Sequence, residues 1–438
     1  MEQSIFKSKD GIIVLYEYIP DIKGVVMELH FKAGGNNDPI GKAGLAHFCE
    51  HVLMGFSTKR HSREERTELR RKYQYFNAST SFSEMTFIAC ATNKEIDGAV
   101  DILTDPFDGI IYSQKQFESE SKIISDEIST RRQTNGGLLA LILDKNQAKN
   151  KEIQNHEYSP AGSLESLSRI TLNDIKKFIY TFINKENLIV NVVGNITKDE
   201  VEALIDKYIS TRIKPLGKKG FSRLDNLGDK GPHYYYSKPY EKGKGLICLD
   251  YKLEKREKTA FYDRRNSAVN GVVSGLLNEV AFNFFRQKQE LCYSCSARIT
   301  QYVDTTYFSF SVNCAETNLD RIIEVYHEFI SSIFNEITEE RFVNRINKNI
   351  GGIKFDQLGI FNQADKNYSD FDRFGELLGD QEYDYYENLY KSITYQEVID
   401  KLKLIAGKKP NMVVISEDGK YADFDYNDYC NKIKLKIK

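Results

Sequence analysis

Ile170-Thr171 opens a helical run, and the apolar strand Leu188-Ile189-Val190-Asn191-Val192-Val193 follows it, with Asn187 placed 16 residues after the threonine. Ile393-Thr394 opens a second run of the same kind, and Asn411-Met412-Val413-Val414-Ile415 begins 17 residues after its threonine. Helix, turn and buried strand thus recur in one order at a period of about 220 residues, which implies an internal duplication. Between the copies, residues 213–232 are rich in Gly, Lys and Asp, contain two prolines and lack apolar periodicity, so they read as a linker. The chain therefore divides into 1–212 and 233–438 around that linker. Two domains of roughly 200 residues are also what a chain of this length is expected to form.

Within the first half, alternating or apolar runs predict strands at Val25 to Phe31, Ala78 to Ser81, Thr86 to Ala91 and Leu188 to Val193. Helical periodicity covers Lys42 to Gly55, Arg63 to Lys72, Asn93 to Ile110, Lys115 to Arg132 and Leu172 to Ile183. The second half restarts with strands at Tyr234 to Tyr236 and Leu246 to Leu253, a helix at Ala268 to Lys288, and strands at Ser294 to Ile299 and Tyr307 to Val312. Helices follow at Leu319 to Asn335 and Glu339 to Ile350. Neither half shows strict βαβ alternation. The expected class is α+β, as two duplicated domains, each a mainly antiparallel sheet packed with helices.

The 61 basic and 63 acidic residues nearly cancel, for a net charge of −2, so there is no basic excess of the kind that marks a nucleic-acid partner. The start, Met1-Glu2-Gln3-Ser4-Ile5-Phe6-Lys7, lacks the basic and apolar regions of a signal peptide. The longest apolar runs fall far short of the ~20 residues that span a bilayer. The expectation is a cytoplasmic protein with no membrane partner. Seven scattered cysteines (Cys49, Cys90, Cys248, Cys292, Cys295, Cys314 and Cys430) fit free thiols. Cys292-Tyr293-Ser294-Cys295 has no second pair nearby and reads as two half-buried small residues.

The chemistry concentrates in Gly44-Leu45-Ala46-His47-Phe48-Cys49-Glu50-His51-Val52-Leu53, which contains His-x-x-Glu-His. On a helix, residues four apart lie one above the other, so His47 and His51 can aim ring nitrogens at one ion. Glu50 sits at the edge of that face, within reach of a water on the ion. Zinc lowers the pKa of such a water to about 7, and a neighbouring carboxylate can take its proton. The order of letters is that of an inverzincin. A catalytic zinc usually has three protein ligands. Glu118, Glu120 and Glu127 lie on one predicted helix, with Glu120 and Glu127 two turns apart on a shared face. A solvated helix face carries such carboxylates too, so spacing alone leaves the third ligand open.

From Ala33-Gly34-Gly35 to Met54-Gly55 the sequence resembles the insulinase/pitrilysin family, in the small two-domain branch that includes the mitochondrial processing peptidase. Similar segments recur at Phe76-Asn77-Ala78-Ser79-Thr80, at Ser159-Pro160-Ala161-Gly162, at Ile170-Thr171 and at Val192-Val193-Gly194. The resemblance implies that Glu127, 76 residues after His51, is the third ligand beside His47 and His51, and that Glu120 supports it. It departs from the family at Cys49, where an aliphatic residue is common, and at Gly55-Phe56, where Gly-Thr is common. Cys49 lies about 200° round the helix from His47, which makes it a core thiol rather than a ligand.

By the same resemblance, Asn77, Ala78 and Ser79 form the sheet edge that pairs with a peptide substrate. Arg286 and Tyr293, seven residues apart, match a pair that holds the substrate backbone and helps stabilise the oxyanion. The implied protein is a zinc metalloendopeptidase with one Zn2+ per chain and Glu50 as base. It would act on unfolded peptides or extended precursor segments in a closed chamber. The family builds that chamber from four such domains, which implies a homodimer or a heterodimer with a paralogue. The alternative within the family is a non-catalytic or structural partner subunit. Such subunits normally lose members of the metal motif, whereas His47, Glu50, His51 and Glu127 are all present here.

Overall fold

In the computed structural model, the described residues are 2–147, 159–220, 233–255, 263–301, 305–356 and 359–433. The first sheet contains β1 (Glu2–Lys7), β2 (Ile13–Tyr18), β3 (Gly24–Phe31), β4 (Tyr75–Thr80), β5 (Met85–Thr92) and β6 (Leu188–Gly194), in the order β1-β2-β6-β3-β5-β4. The second contains β7 (Tyr234–Ser237), β8 (Lys244–Lys255), β9 (Cys292–Gln301), β10 (Thr305–Ala315) and β11 (Asn411–Ile415), in the order β7-β11-β8-β10-β9. Without β1, the two orders correspond strand for strand. Each sheet has a single parallel pair at the same place, β2 with β6 and β7 with β11, and is otherwise antiparallel. The fold is α+β, with two mixed sheets. The sequence reading did not anticipate β1 or β2, which form a local antiparallel hairpin, with β2 also pairing in parallel with the distant β6.

The threonines that mark the repeat are helix N-caps. Thr171 caps the helix Leu172–Phe182 in a reciprocal box with Asp174, and Thr394 caps Tyr395–Ala406 in a box with Glu397. In both copies the helix packs into its own half's core and the following strand is fully buried.

The compact units are not the contiguous halves 1–212 and 233–438. One unit comprises Met1–Ser129, Lys151–Leu224 and Lys354–Glu382, and the other Thr130–Asn150, Asp225–Ile353 and Tyr383–Lys438. Each half gives one helix to the other's sheet, and burial explains why. The strands β6 and β11 are apolar on both faces, so the face left uncovered by the local helices needs another partner. In the first unit, Ile360 and Ala364 of the helix Ile360–Phe374 pack with Val26, Cys90 and Val193. In the second unit, Leu138, Leu139, Ile142 and Leu143 of the helix Asn135–Gln147 pack with Leu246, Cys248, Val413 and Ile415.

Residues 221–232 of the expected linker lie outside the described residues. The part that precedes them is held to the first unit: the Lys218 N–H donates to the Thr181 carbonyl (2.9 Å) and the Gly220 N–H to Asn187 Oδ1 (2.7 Å).

Candidate metal centre

Helix α1 (Leu45–Gly55) is positioned at both ends by polar groups. Its N-cap, Gly44, has φ 90° and lies against the Ala161 carbonyl, where a Cβ would stand 2.5 Å from the oxygen. The buried Asp38 carboxyl accepts the Gly44 and Ala46 N–H groups, each at 2.8 Å. Burial pushes Asp38 up to about 8, against the opposing pull of those N–H groups. At the other end, the last carbonyls of α1 meet arginines of helix α2 (Arg63–Arg70). Arg66 donates to Leu53 O (2.8 Å) and Phe56 O, and Arg70 to Met54 O (2.8 Å).

The orientation of α1 follows from its apolar side. Leu45, Phe48, Cys49, Val52 and Leu53 enter the core, where Phe48 stacks on Phe117 with ring centroids 5.0 Å apart. Cys49 is a fully buried core thiol pointing at the Ile175 carbonyl, and burial holds its pKa well above the usual value. His47, Glu50 and His51 are left on one side, with rings of the two histidines 4.7 Å apart.

Helices α3 (Ile96–Asp108) and α4 (Gln114–Arg132) come next in the chain, and α4 carries the distant carboxylates. Glu127 Oε2 lies 3.7 Å from His47 Nε2 and 3.5 Å from His51 Nε2. These three side chains bring their ligand atoms within 4.8 Å of one another, the one such group among the described residues. Glu120, two turns earlier on α4, is buried behind His51. Its Oε2 accepts from His51 Nδ1 at 3.2 Å, and its Oε1 accepts from Arg63. With Nδ1–H directed at Glu120, the Nε2 lone pair of His51 faces Glu127 and His47. Burial disfavours a proton on His51, yet the Glu120 hydrogen bond and the charges of Glu50, Glu120 and Glu127 outweigh it and raise the pKa. Two imidazole nitrogens and one carboxylate oxygen form the donor set of an open zinc site, so the residues present fit the ion.

Glu50, also buried, accepts the Thr80 hydroxyl at 2.6 Å on Oε2. Thr80 ends β4, the outer strand of its sheet, which pairs only with β5 among the described strands. Along β4, Ala78 packs into the core on the α1 side, whereas Asn77 and Ser79 point to the opposite face. Of the three expected peptide-binding residues, only Ala78 therefore shares a face with the metal cluster. Asn77 donates to the Tyr75 hydroxyl at 2.8 Å.

Arg286 and Tyr293 are brought together in the other unit. Arg286 donates to the Tyr293 carbonyl, and its guanidinium lies 4.6 Å from the Tyr293 ring centroid. A bulge explains the exposure of this tyrosine, 81%. Cys314 of β10 pairs with Cys292 and Asn313 with Ser294, so Tyr293 is the extra residue on β9. Cys292 and Cys295 are half-buried free thiols. Sequence reasoning missed Thr80, Arg63 and Asp38 as supports of the site. None of them stands in a local pattern that marks it.

Residues 13–161 match the family model described as Insulinase (Peptidase family M16), and residues 169–349 match the one described as Peptidase M16 inactive domain; the chain belongs to this insulinase family. Among curated proteins it is similar to an uncharacterized zinc protease of Rickettsia felis, 21% identical over 86% of this chain and 90% of the relative. It is also similar to the zinc protease PqqE of Helicobacter pylori, 25% identical over 54% and 50% of the two chains. The beta subunit of the mitochondrial-processing peptidase of Neurospora crassa is 23% identical over 46% and 42%. Among solved structures, a protease from Helicobacter pylori superposes with a TM-score of 0.79 at 19% identity, covering 95% of this chain and 99% of that one. The first half of the periplasmic protease PqqL from Escherichia coli gives 0.78 at 15%, covering 100% and 97%.

Proposed function

We propose that the protein is a zinc-dependent endopeptidase that cuts unfolded peptides or extended precursor segments. The observation that carries this reading is the convergence of His47 Nε2, His51 Nε2 and Glu127 Oε2, with Glu50 on the same helix face. A zinc ion held by these three residues would supply Lewis-acid activation of a water and of the scissile carbonyl. Glu50 takes a proton from the attacking water and returns it to the departing amine. Thr80 holds the Glu50 carboxylate in place, and Glu120, itself held by Arg63, keeps His51 in the tautomer that presents Nε2.

Peptide is bound as an added strand on the free edge of β4, through the backbone of Asn77, Ala78 and Ser79. That strand ends at Thr80, which touches Glu50, so a peptide paired along it is led to the site of bond cleavage. Tyr293, on the exposed bulge of an outer strand, and Arg286, on the helical segment Phe282–Lys288 before it, hold the substrate backbone and the developing oxyanion of a peptide bound to a second copy or a paralogue. The dimer closes a chamber that admits only unfolded chain.

One observation favours a second reading, a non-catalytic partner subunit: residues 169–349 match a model described as an inactive domain. The metal-binding group, however, lies within the segment matched by the other model. Metal analysis and cleavage of a quenched peptide, with and without a chelator, separate the two. The peptidase reading requires about one zinc per chain and turnover that the chelator abolishes and added zinc restores. A metal-free chain without turnover would establish the partner-subunit reading.

A further inference from the structure

A pocket of about 890 Å3 opens on the first unit, lined by parts of α1, the end of α3 and the helix Leu172–Phe182, and none of the metal donors lines it. Pockets of ~300–1,000 Å3 are of the size that buries small ligands. Its inner wall is apolar: Leu53, Pro106, Ile183 and Ile213 are buried, and Ile110 and Ile179 are half-buried. Two of these residues belong with the elements that carry the metal donors. Leu53 lies on α1, and Ile110 lies in the segment that leads into α4.

Five cationic side chains line the same pocket and no acidic one does. Lys185 is paired with Asp10 at 2.6 Å and Arg212 with Asp101 at 2.5 Å, so those two charges are met. Lys176, Lys177 and Lys214 have no carboxylate partner among the described residues. Lys176 Nζ lies 5.0 Å from the Tyr112 ring centroid. Lys214 Nζ lies over the Tyr180 ring and donates to the Tyr180 carbonyl at 3.2 Å. Lys176 and Lys177 are exposed while the aliphatic wall is buried, so positive charge stands at the mouth and apolar surface lies behind it. That distribution complements a molecule with one anionic head and an apolar tail.

We propose that this pocket binds a free long-chain carboxylate, a fatty acid, with its head among Lys176, Lys177 and Lys214 and its chain against Leu53, Ile110, Ile183 and Ile213. The unpaired cations are lysines, which act as point charges, whereas the one arginine, whose fork would suit a phosphate, is committed to Asp101. An acyl chain gains by leaving water for the aliphatic wall, and a peptide backbone laid there would leave polar groups unpaired. The occupant touches α1 and the approach to α4 together. Binding needs neither zinc nor turnover, so the inference goes beyond the peptidase reading.

Calorimetric titration of the full chain with dodecanoate, kept below its aggregation concentration, tests the proposal. One molecule should bind per chain. Affinity should rise about fourfold for each CH2 added from octanoate to dodecanoate. Dodecanol, which lacks the charge, should bind about tenfold more weakly. Lys176→Glu combined with Lys177→Glu changes two exposed side chains and should weaken dodecanoate about tenfold while leaving dodecanol unchanged. Ile179→Trp should fill the pocket and weaken both ligands, with a cooperative melt to show that the variant folds. Undiminished dodecanoate binding by the double lysine variant overturns the proposal, and so does tighter binding of dodecyl phosphate. Binding to phosphatidylglycerol vesicles, with none to monomeric dodecanoate, assigns the patch to a membrane surface and also overturns it. If the chain binds dodecanoate but cleaves no peptide, the peptidase reading alone fails. If it cleaves peptide but binds no dodecanoate, this pocket alone fails.

Discussion

The Thr80 hydroxyl donates to Glu50 Oε2 at 2.6 Å, which ties the last residue of an outer strand to the carboxylate of the metal helix. One hydrogen bond therefore joins the strand proposed to hold the peptide to the group proposed to move the proton. Thr80→Val keeps the shape and the strand propensity but removes the donor. Loss of a hydrogen bond to a charged group is worth about 1.5–3 kcal/mol, or roughly 10–100-fold in rate if it acts on the transition state. The expected result is a kcat lower by that factor, with KM and zinc content near wild type. A kcat equal to that of wild type would remove Thr80 from the mechanism.

The two carboxylates of α4 should separate in metal analysis. Glu127 faces both Nε2 atoms, so Glu127→Ala should lose zinc on dialysis, because two histidines make a poor site. Of the three clustered side chains Glu120 touches only His51, at Nδ1, so Glu120→Ala should lower zinc affinity about 10–100-fold and reduce turnover while zinc at excess still fills the site. An empty Glu120→Ala beside a fully loaded Glu127→Ala would reverse the assignment.

In the metal-free protein, the raised pKa of His51 gives a pH dependence of defined sign. The folded state binds this proton more tightly than the unfolded state. The resulting stability is fully present below the ordinary imidazole pKa of about 6.5 and is lost as pH rises through the folded value. Apo-protein melting temperature should thus fall as pH increases through that window. Glu120→Gln, which removes the main group favouring the proton, should flatten the slope, and saturating zinc should reverse it, because the ion takes the place of the proton. A melting temperature of the apo-protein that rises through this window would contradict the assignment.

Arg286 and Tyr293 are proposed to serve the metal site of another chain. Glu50→Gln and Tyr293→Phe should each be inactive alone. Mixed after dissociation, they should regain activity up to about a quarter of wild type if pairing is random and two-fold symmetric. Within one chain neither mutant holds a complete set, so a verified mixed dimer without activity would rule out delivery between chains.

Much of the candidate metal centre was determined by sequence alone, because its central constraint is local. His47 and His51 share a helix face at a spacing of four, Glu50 sits beside them, and the duplication is written in two capped helices that each lead into an apolar strand. Helical and strand periodicities depend on neighbours a few residues away, and a pattern read along the chain captures them. Tertiary structure decided what depends on distant segments. It selected Glu127 rather than Glu120 to face the histidines, attached Thr80 to Glu50, and placed Asp38 at the start of α1. It also turned Asn77 and Ser79 away from the His47, His51 and Glu127 cluster, and exchanged one helix between the halves to cover sheet faces that no local helix reaches. Asp365 shows the limit most plainly. On its own helix it is one carboxylate among several, and only the packing of that helix against β3, some 330 residues earlier, sets it beside the buried Glu28. Contacts of that range arise from the burial of two-sided apolar strands, a global condition that no short window of sequence contains.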